Sequence, residues 1–177
     1  MSANRVEELH ALLKEIEIAM LTTHRADGHL VSRPMALQKA APGADLWFVT
    51  ASDAGMVKEL RADPHVNLAF YKDRTREYVS VTGTAVLSQD RALINQLYAP
   101  DWKVWFEDEG GAYDGSPDDP RLMLIGVTVE SARFLSVTKP QAVVFVEYLK
   151  GRITGKAPDL GKFQQVSGTE LRNRPLS

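Results

Sequence analysis

The chain has 177 residues, 44% hydrophobic and 25% charged, with a formal net charge of −2. That length suits one domain with its own core, and a near-neutral charge without a basic run argues against nucleic acid or an anionic membrane as principal partner. The absence of cysteine removes disulfide scaffolds, thiolate metal sites, iron–sulfur clusters and cysteine nucleophiles together, so redox chemistry here requires a cofactor.

From the N-terminus, Val6, Leu9, Leu13 and Ile16 recur at helical spacing opposite Glu7, Glu8, Lys14, Glu15 and Glu17, which predicts an amphipathic helix over residues 4–16 that plugs the end of a sheet. The same stretch is charged throughout and reads as neither a signal peptide nor a membrane span; no other stretch is long and apolar enough, and the cytoplasm is the expected location. Alternation in IAMLTTHR, the turn residues Ala26 to Gly28, and HLVSRPMAL predict a β-hairpin. LWFVT (Leu46 to Thr50) is a short strand leading into a helix-start signal, ASDAG, and a short helix stopped by Pro64. HVNLAFYK (His65 to Lys72) and EYVSVTGTAVLS (Glu77 to Ser88) are strands, and Gly83 in the second marks a bend or bulge. A helix from about Asp90 to Tyr98, a Trp-rich turn and a polar acidic loop precede a long strand from Arg121 to Val137.

About six hairpin-connected strands with short intervening helices predict a mainly β (α+β) fold, a six-stranded antiparallel barrel with short flanking helices rather than a doubly wound sheet. The expected division is a domain over residues 1–150 and a polar, Gly/Pro-rich extension over 151–177, loosely docked.

Signatures for dinucleotide-binding Rossmann folds, P-loops and hydrolase elbows are missing. His10, His24, His29 and His65 lack zinc-helix spacing, and the acidic residues Glu107, Asp108, Glu109, Asp114, Asp118 and Asp119 lack the EF-hand pattern, so no metal site is expected. Two features are harder to set aside. In VTASDAGMVKEL, Thr50, Ser52 and Asp53 stand at a strand exit and helix entry where hydroxyls and free backbone N–H groups converge on an anion, with Lys58 one turn further on; capping by Ser52 or Asp53 is the alternative. In HLVSRPMAL, Arg33 shares an apolar face with Val31, Met35 and Leu37. It must reach an anion, a carboxylate or the barrel rim, while Pro34 marks an edge or interruption of the strand.

SRPMAL, LWFVTASDAGMVKELRADPHVNLAFY and EYVSVTGTAVL, in this order and spacing over roughly residues 5–137, resemble the FMN-binding split-barrel proteins of the pyridoxamine 5′-phosphate oxidase-like superfamily, in particular its bacterial general stress protein branch. The resemblance implies a six-stranded split barrel forming a homodimer, with FMN held non-covalently in clefts at the subunit interface. By position, Ser32, Arg33, Pro34 and Met35, on to Leu37, would line the isoalloxazine and ribityl chain, with Arg33 at the phosphate or at the polar edge of the ring. Val49 and Thr50 would begin a phosphate turn completed by Ser52, Gly55 and Lys58. Met56 stands where the oxidases carry a lysine, and Tyr78 where they present a glutamine to the flavin of the other subunit. Trp105 would cover the ring or, like Trp102, pack in a core or interface. The oxidases' terminal R-x-H-D-R segment is missing from GTELRNRPLS, and Leu135 replaces their near-terminal tryptophan, so pyridoxamine phosphate oxidation is not expected.

The expected function is therefore that of an FMN-binding flavoprotein whose cofactor does the redox step. Three classes stay open: an FMN-dependent oxidoreductase acting on NAD(P)H or a small substrate, a non-catalytic module that stores or senses FMN under stress, and a haem-handling protein of the same fold with His24 or His29 as the thin candidates for a ligand. No acid–base pair is placed so as to assign a catalytic residue.

Overall fold

Helix α1 (Ser2–Ile16) forms where the heptad-like spacing predicts it, and it buries Val6, Leu9 and Leu13 against the inner face of a strongly bent antiparallel sheet. It ends at Glu17, which takes a left-handed conformation (φ 56°) and returns its N–H to Leu13 O. The computed structural model describes residues 2–137, 155 and 161–174, with side chains from Arg5 onward.

The strands are β1 (Ile18–His24), β2 (Leu30–Ala36), β3 (Leu46–Ala51), β4 (His65–Lys72), β5 (Glu77–Ser88), β6 (Leu122–Ser136) and β7 (Lys162–Ser167). Their order is β2-β1-β4-β5-β6-β3, with β7 also on β6. The β1–β2 hairpin closes through Gly28 at φ 83°, a conformation that glycine alone adopts freely. β6 is long enough to pair β3 through its first half and β7 through its last residues while β5 runs along its other edge.

β2 and β3 end the strand order, β7 being a further edge strand on β6, and the main chain joins β2 to β3 just beyond β2, where Gln38 N–H donates to Trp47 O (2.8 Å). The sheet thus approaches a barrel without closing into one, the split barrel expected from the sequence. Leu21, Phe48, Leu68, Phe70, Val79, Val81 and Phe134 fill the inside with α1 and with Met56 and Leu60 of α2 (Gly55–Ala62). A second cluster lies behind β3 and the first half of β6, where Trp47, Leu122 and Leu124 meet Ile94 and Leu97 of α3 (Arg91–Leu97) and Trp102 of the 3₁₀ turn Pro100–Trp105. Buried on both faces, that half of β6 reads as an unbroken apolar run.

Two sequence expectations are sharpened. β2 is an edge, as Pro34 requires. The tail, expected to be loosely docked, supplies β7 and then helix α4 (Gly168–Arg172), whose N-terminus carries a reciprocal capping box between Ser167 and Glu170. The expected boundary near residue 150 lies outside the described residues. Lone polar residues amid Gly and Pro concealed β7, because its inward residue Val166 is flanked by Gln164, Gln165 and Ser167 and only pairing with β6 makes it a strand.

The β5–β6 register shifts between Thr82 and Gly83, and a Cβ on Gly83 would stand 2.5 Å from Thr128 O. Backbone against backbone cannot yield as a flexible side chain can. Gly83→Ala is expected to cost about 2 kcal/mol and to lower the melting temperature followed by circular dichroism. An unchanged melt would mean that the bulge relaxes freely.

Candidate functional site

Arg33 answers the question that its position poses. By strand parity it points inward with Met35, and there Glu59 of α2 meets it: Nη2 donates to Glu59 Oε2 at 2.8 Å and Oε1 at 3.0 Å. Thr23, on the inner face of β1 and almost fully buried, accepts from Arg33 Nη1 (2.8 Å) and donates to Glu59 Oε2 (2.6 Å). The three side chains form a closed ring of hydrogen bonds joining β1, β2 and α2, with the Glu59 side chain 14% exposed and that of Arg33 28%. Charge-assisted bonds of this kind are roughly twice as strong as neutral ones. Arg33 is therefore charge-compensated by this chain's own carboxylate.

The turn from β3 into α2 is the second part. Leu46, Phe48 and, by the same parity, Thr50 face the inside, while Val49 packs toward the second cluster. Capping by Ser52 or Asp53 does not occur. The N-cap is Ala54, with no side-chain hydrogen bond to the helix, although alanine is among the poorest residues for that position. The first-turn N–H groups of Gly55 and Met56 precede any intrahelical partner. Among the described residues the hydroxyls of Thr50 and Ser52 and the ammonium of Lys58 have no hydrogen-bonding partner. The Met56 side chain is buried in the main core, so what this position offers the turn is its backbone N–H.

Two braces hold the parts together. Leu37 N–H donates to Glu17 O and Gln38 N–H to Trp47 O, while the Gln38 side chain accepts from Trp102 Nε1 (3.0 Å). The residues after SRPMAL are thereby fixed beside β3. Ser52 N–H donates to Arg121 O (2.7 Å), and Arg121 organises the acidic loop behind it through Asp119, Glu109, Glu107 O and the faces of Phe106 and Tyr113. The acidic run is thus a loop built around one arginine.

Ser32 and Pro34 point to the opposite, outer face, where Ser32 Oγ bonds Thr22 Oγ1 at 2.7 Å. Tyr78 shares that face, three strands away in the order β2-β1-β4-β5. At about 4.8 Å per strand it stands roughly 14 Å from β2, in edge contact with Phe163. Trp105 projects from the 3₁₀ turn 81% exposed, whereas Trp102 is core. The chain joins Arg33 to Glu59 of α2 and Gln38 to Trp47 of β3, while Ser32 and Pro34 face outward and Tyr78 and Trp105 stand apart from these contacts.

Sequence reasoning missed Glu59, Thr23 and Gln38. Glu59 sits one turn after Gly55 on the face that holds Met56, a visible oddity, but its partner lies 26 positions away and nothing local signals it. His24 and His65 both hydrogen-bond Asp63 through Nδ1 at 2.7 Å, and the imidazole of His24 above all, then the His65 N–H, holds that carboxyl far below the usual carboxylate range. His29 lies beside Asp27. Among the described residues no three His, Asp or Glu side chains could hold a metal ion, and no helix is long and apolar enough to cross a membrane.

Asp119 is fully buried, and the Arg121 guanidinium first, then the N–H groups of Arg121 and Gly115, pull its carboxyl down to about 2. A carboxyl that is more acidic in the fold stabilises it above the ordinary value of 3.8 and loses that contribution as pH falls toward about 2. Urea unfolding should therefore weaken between those pH values, and Asp119→Asn should flatten that part of the profile. An identical slope in the variant would remove Asp119 as its source.

Comparison with known proteins bears on this geometry. A model of the family described as pyridoxamine 5′-phosphate oxidase like matches residues 4–159. Protein bli-3 of Neurospora crassa is 34% identical over 172 residues, 96% of this chain and 82% of its own length. A crystal structure described as general stress protein 26 from Jannaschia sp. CCS1 superposes with a TM-score of 0.70 at 26% identity, over 93% of this chain and 99% of that one. The general stress FMN/FAD binding protein of Xanthomonas citri gives 0.60 at 26%, over 74% and 88%. The chain belongs to the pyridoxamine 5′-phosphate oxidase-like family, in its general stress protein branch.

Proposed function

We propose that the protein is an FMN-binding flavoprotein that works as a homodimer. The observation that carries this reading is the start of α2, whose N-cap Ala54 makes no side-chain hydrogen bond to the helix, within a stretch of nine residues that also holds the unpartnered hydroxyls of Thr50 and Ser52 and the ammonium of Lys58. Anions stabilise such helix starts through the backbone donors and the helix dipole. A flavin phosphate would take Thr50, Ser52, the N–H groups of Gly55 and Met56, and Lys58. The open edge of β2, from Ser32 to Leu37, would run along the ribityl chain and ring, with Val49 behind.

The family relation supports the choice of flavin over other anions, since a relative of the same branch is described as FMN/FAD binding. Bound there, the flavin would supply the redox chemistry; this chain's residues bind, orient and shield it.

The homodimer rests on the outer face of the sheet. Ile18, Met20, Leu30 and Tyr71 are each at least 41% exposed on adjacent strands, and Phe163 of β7 extends the same face. An exposed apolar face of this kind marks an interaction site, and Tyr78, and with it Trp105, would meet a flavin held by the partner copy. The class of reaction, oxidoreductase or storage and sensing of FMN, is decided by turnover.

Adding FMN to the purified protein should quench flavin fluorescence and leave a yellow protein after desalting, and Lys58→Gln should weaken binding by about 1.5 kcal/mol. No quenching at micromolar protein would overturn the flavin reading. Met20→Glu should shift the particle mass in light scattering from dimer to monomer and lower flavin affinity; a monomeric parent protein would sink the dimer. NAD(P)H oxidation by the loaded protein above the rate of free FMN supports an oxidoreductase, and a flat trace supports storage or sensing.

A further inference from the structure

Toward the β7 side of the outer face stands a charge that the fold leaves unanswered. Arg133 of β6 is exposed and has no hydrogen bond or ion pair among the described residues. Ser80 of β5 stands directly opposite it on one side and Gln165 of β7 on the other. Two residues along the same strands, about 7 Å away, Tyr78, Leu135 and Phe163 form an apolar row in which the Tyr78 and Phe163 rings meet edge-on at 6.5 Å. From this juxtaposition we infer that β5, β6 and β7 hold a binding site for an aromatic carboxylate, its carboxyl group paired with Arg133 and its ring on the row of Tyr78 and Phe163. The site is separate from the β2 edge and the start of α2. It rests on the homodimer proposed above and names the class of small molecule that the covered face would take beside the partner copy's flavin.

An arginine open to water needs no partner. Under a second copy it does, because a guanidinium taken out of water without an anion is costly. The face itself has no anion to give. In the rows that run through Tyr78, Ser80 and Thr82 from β2 to β7, Arg133 is the only charged side chain, so an isologous contact sets it against neutral residues. The nearest carboxylates along β5 and β6 are engaged elsewhere. Glu130 accepts from Thr84 Oγ1 (2.8 Å), and Glu77 from Val137 N–H (2.9 Å) and Thr75 Oγ1 (2.7 Å). A ligand is left as the counter-ion, and the neighbours define its chemistry. The guanidinium fork matches a carboxylate bidentately. Ser80 Oγ accepts from Asn67 Nδ2 (3.1 Å) and so keeps its O–H free to donate, and Gln165 adds an amide. One positive charge neutralises a monoanion and falls short of a phosphate dianion. The apolar row then favours a ring over an aliphatic chain, since aromatic pairs gain beyond their buried area.

The test is calorimetric titration of the FMN-loaded protein with benzoate, benzamide, acetate and phenyl phosphate. The parent should bind benzoate about tenfold more tightly than the neutral benzamide, and more tightly than acetate or phenyl phosphate. Arg133→Gln should bind benzoate and benzamide alike, and Arg133→Lys, which keeps the charge without the fork, should fall between. Phe163→Ala should weaken benzoate and leave acetate unchanged. FMN affinity, from fluorescence titration, and particle mass, from light scattering, should be the same in the parent and in Arg133→Gln. Equal binding of benzoate and benzamide by the parent, or binding of neither, overturns the inference and leaves the flavin reading intact. Preference for phenyl phosphate over benzoate overturns the carboxylate. Loss of FMN affinity in Arg133→Gln makes the flavin the counter-ion, and a shift to monomer in that variant makes it a carboxylate of the partner copy; either overturns the site. A parent that binds no FMN, or is a monomer, overturns the proposed function and the inference with it.

Discussion

A guanidinium on the inner face of an edge strand must be met by an anion, and in this fold the anion is built in. The Arg33–Glu59 pair with its Thr23 bridge joins elements that the sheet leaves unconnected, since β2 is paired only along β1 and α2 belongs to the connection from β3 to β4. Without it the free edge of β2 would be tied at its far end alone, through Leu37 and Gln38. The split in the barrel is therefore braced at both ends of the SRPMAL stretch, by charge at Arg33 and by main-chain bonds beyond Ala36. What lies between is a strand edge with a proline in it, unable to complete a ladder and free to meet something other than a strand.

The start of α2 is constrained in a complementary way. Helix starts are usually satisfied by a side chain, and Ser52 and Asp53 are both near enough in sequence to serve. They do not, because Ser52 is held by its own N–H to Arg121 O and the turn places Ala54 at the cap. The loop behind that bond is rigid for its own reason: one arginine carries two carboxylates, a carbonyl and two aromatic faces. The acidic residues after Trp105 thus act on the site only indirectly, by fixing the turn from which the free N–H groups project.

How much of this could be read from the sequence depends on range. Strand alternation, the Gly83 bulge and the Pro34 edge are local signals, and each lies where pattern placed it. Thr50, Ser52 and Lys58 stand out in the sequence as a cluster within nine positions, and their side chains have no hydrogen-bonding partner among the described residues. Arg33 was visible as an oddity, but its answer required Glu59, 26 positions on and on another element, and a single sequence carries no local trace of such a pairing. Gln38 failed for the same reason, since its partners are Trp47 and Trp102. β7 failed because its residues are ordinary until β6 is beside them.

The outer face is where the proposed homodimer would form. Across six strands the residues stand in register as bands: Ser32, Thr22, Asn67, Thr82, Ser131 and Ser167 form a row of hydroxyls and amides, the next row joins Pro34, Met20 and Ala69 to Ser80, Arg133 and Gln165, and the row that holds Ala36, Ile18, Tyr71, Tyr78, Leu135 and Phe163 is apolar and aromatic. A sheet facing water needs no such segregation, because scattered polar residues would serve equally well. A sheet facing a copy of itself does, since an isologous contact sets each band against another part of the same surface. The proposed ring track on β2 lies at the margin of that surface, and the proposed phosphate turn lies behind it on the inner side. A ligand bridging the two would have one side of its ring open to a second copy, from which Trp105, exposed on its 3₁₀ turn, and Tyr78, packed edge-on against Phe163, would be the aromatic side chains to cover it.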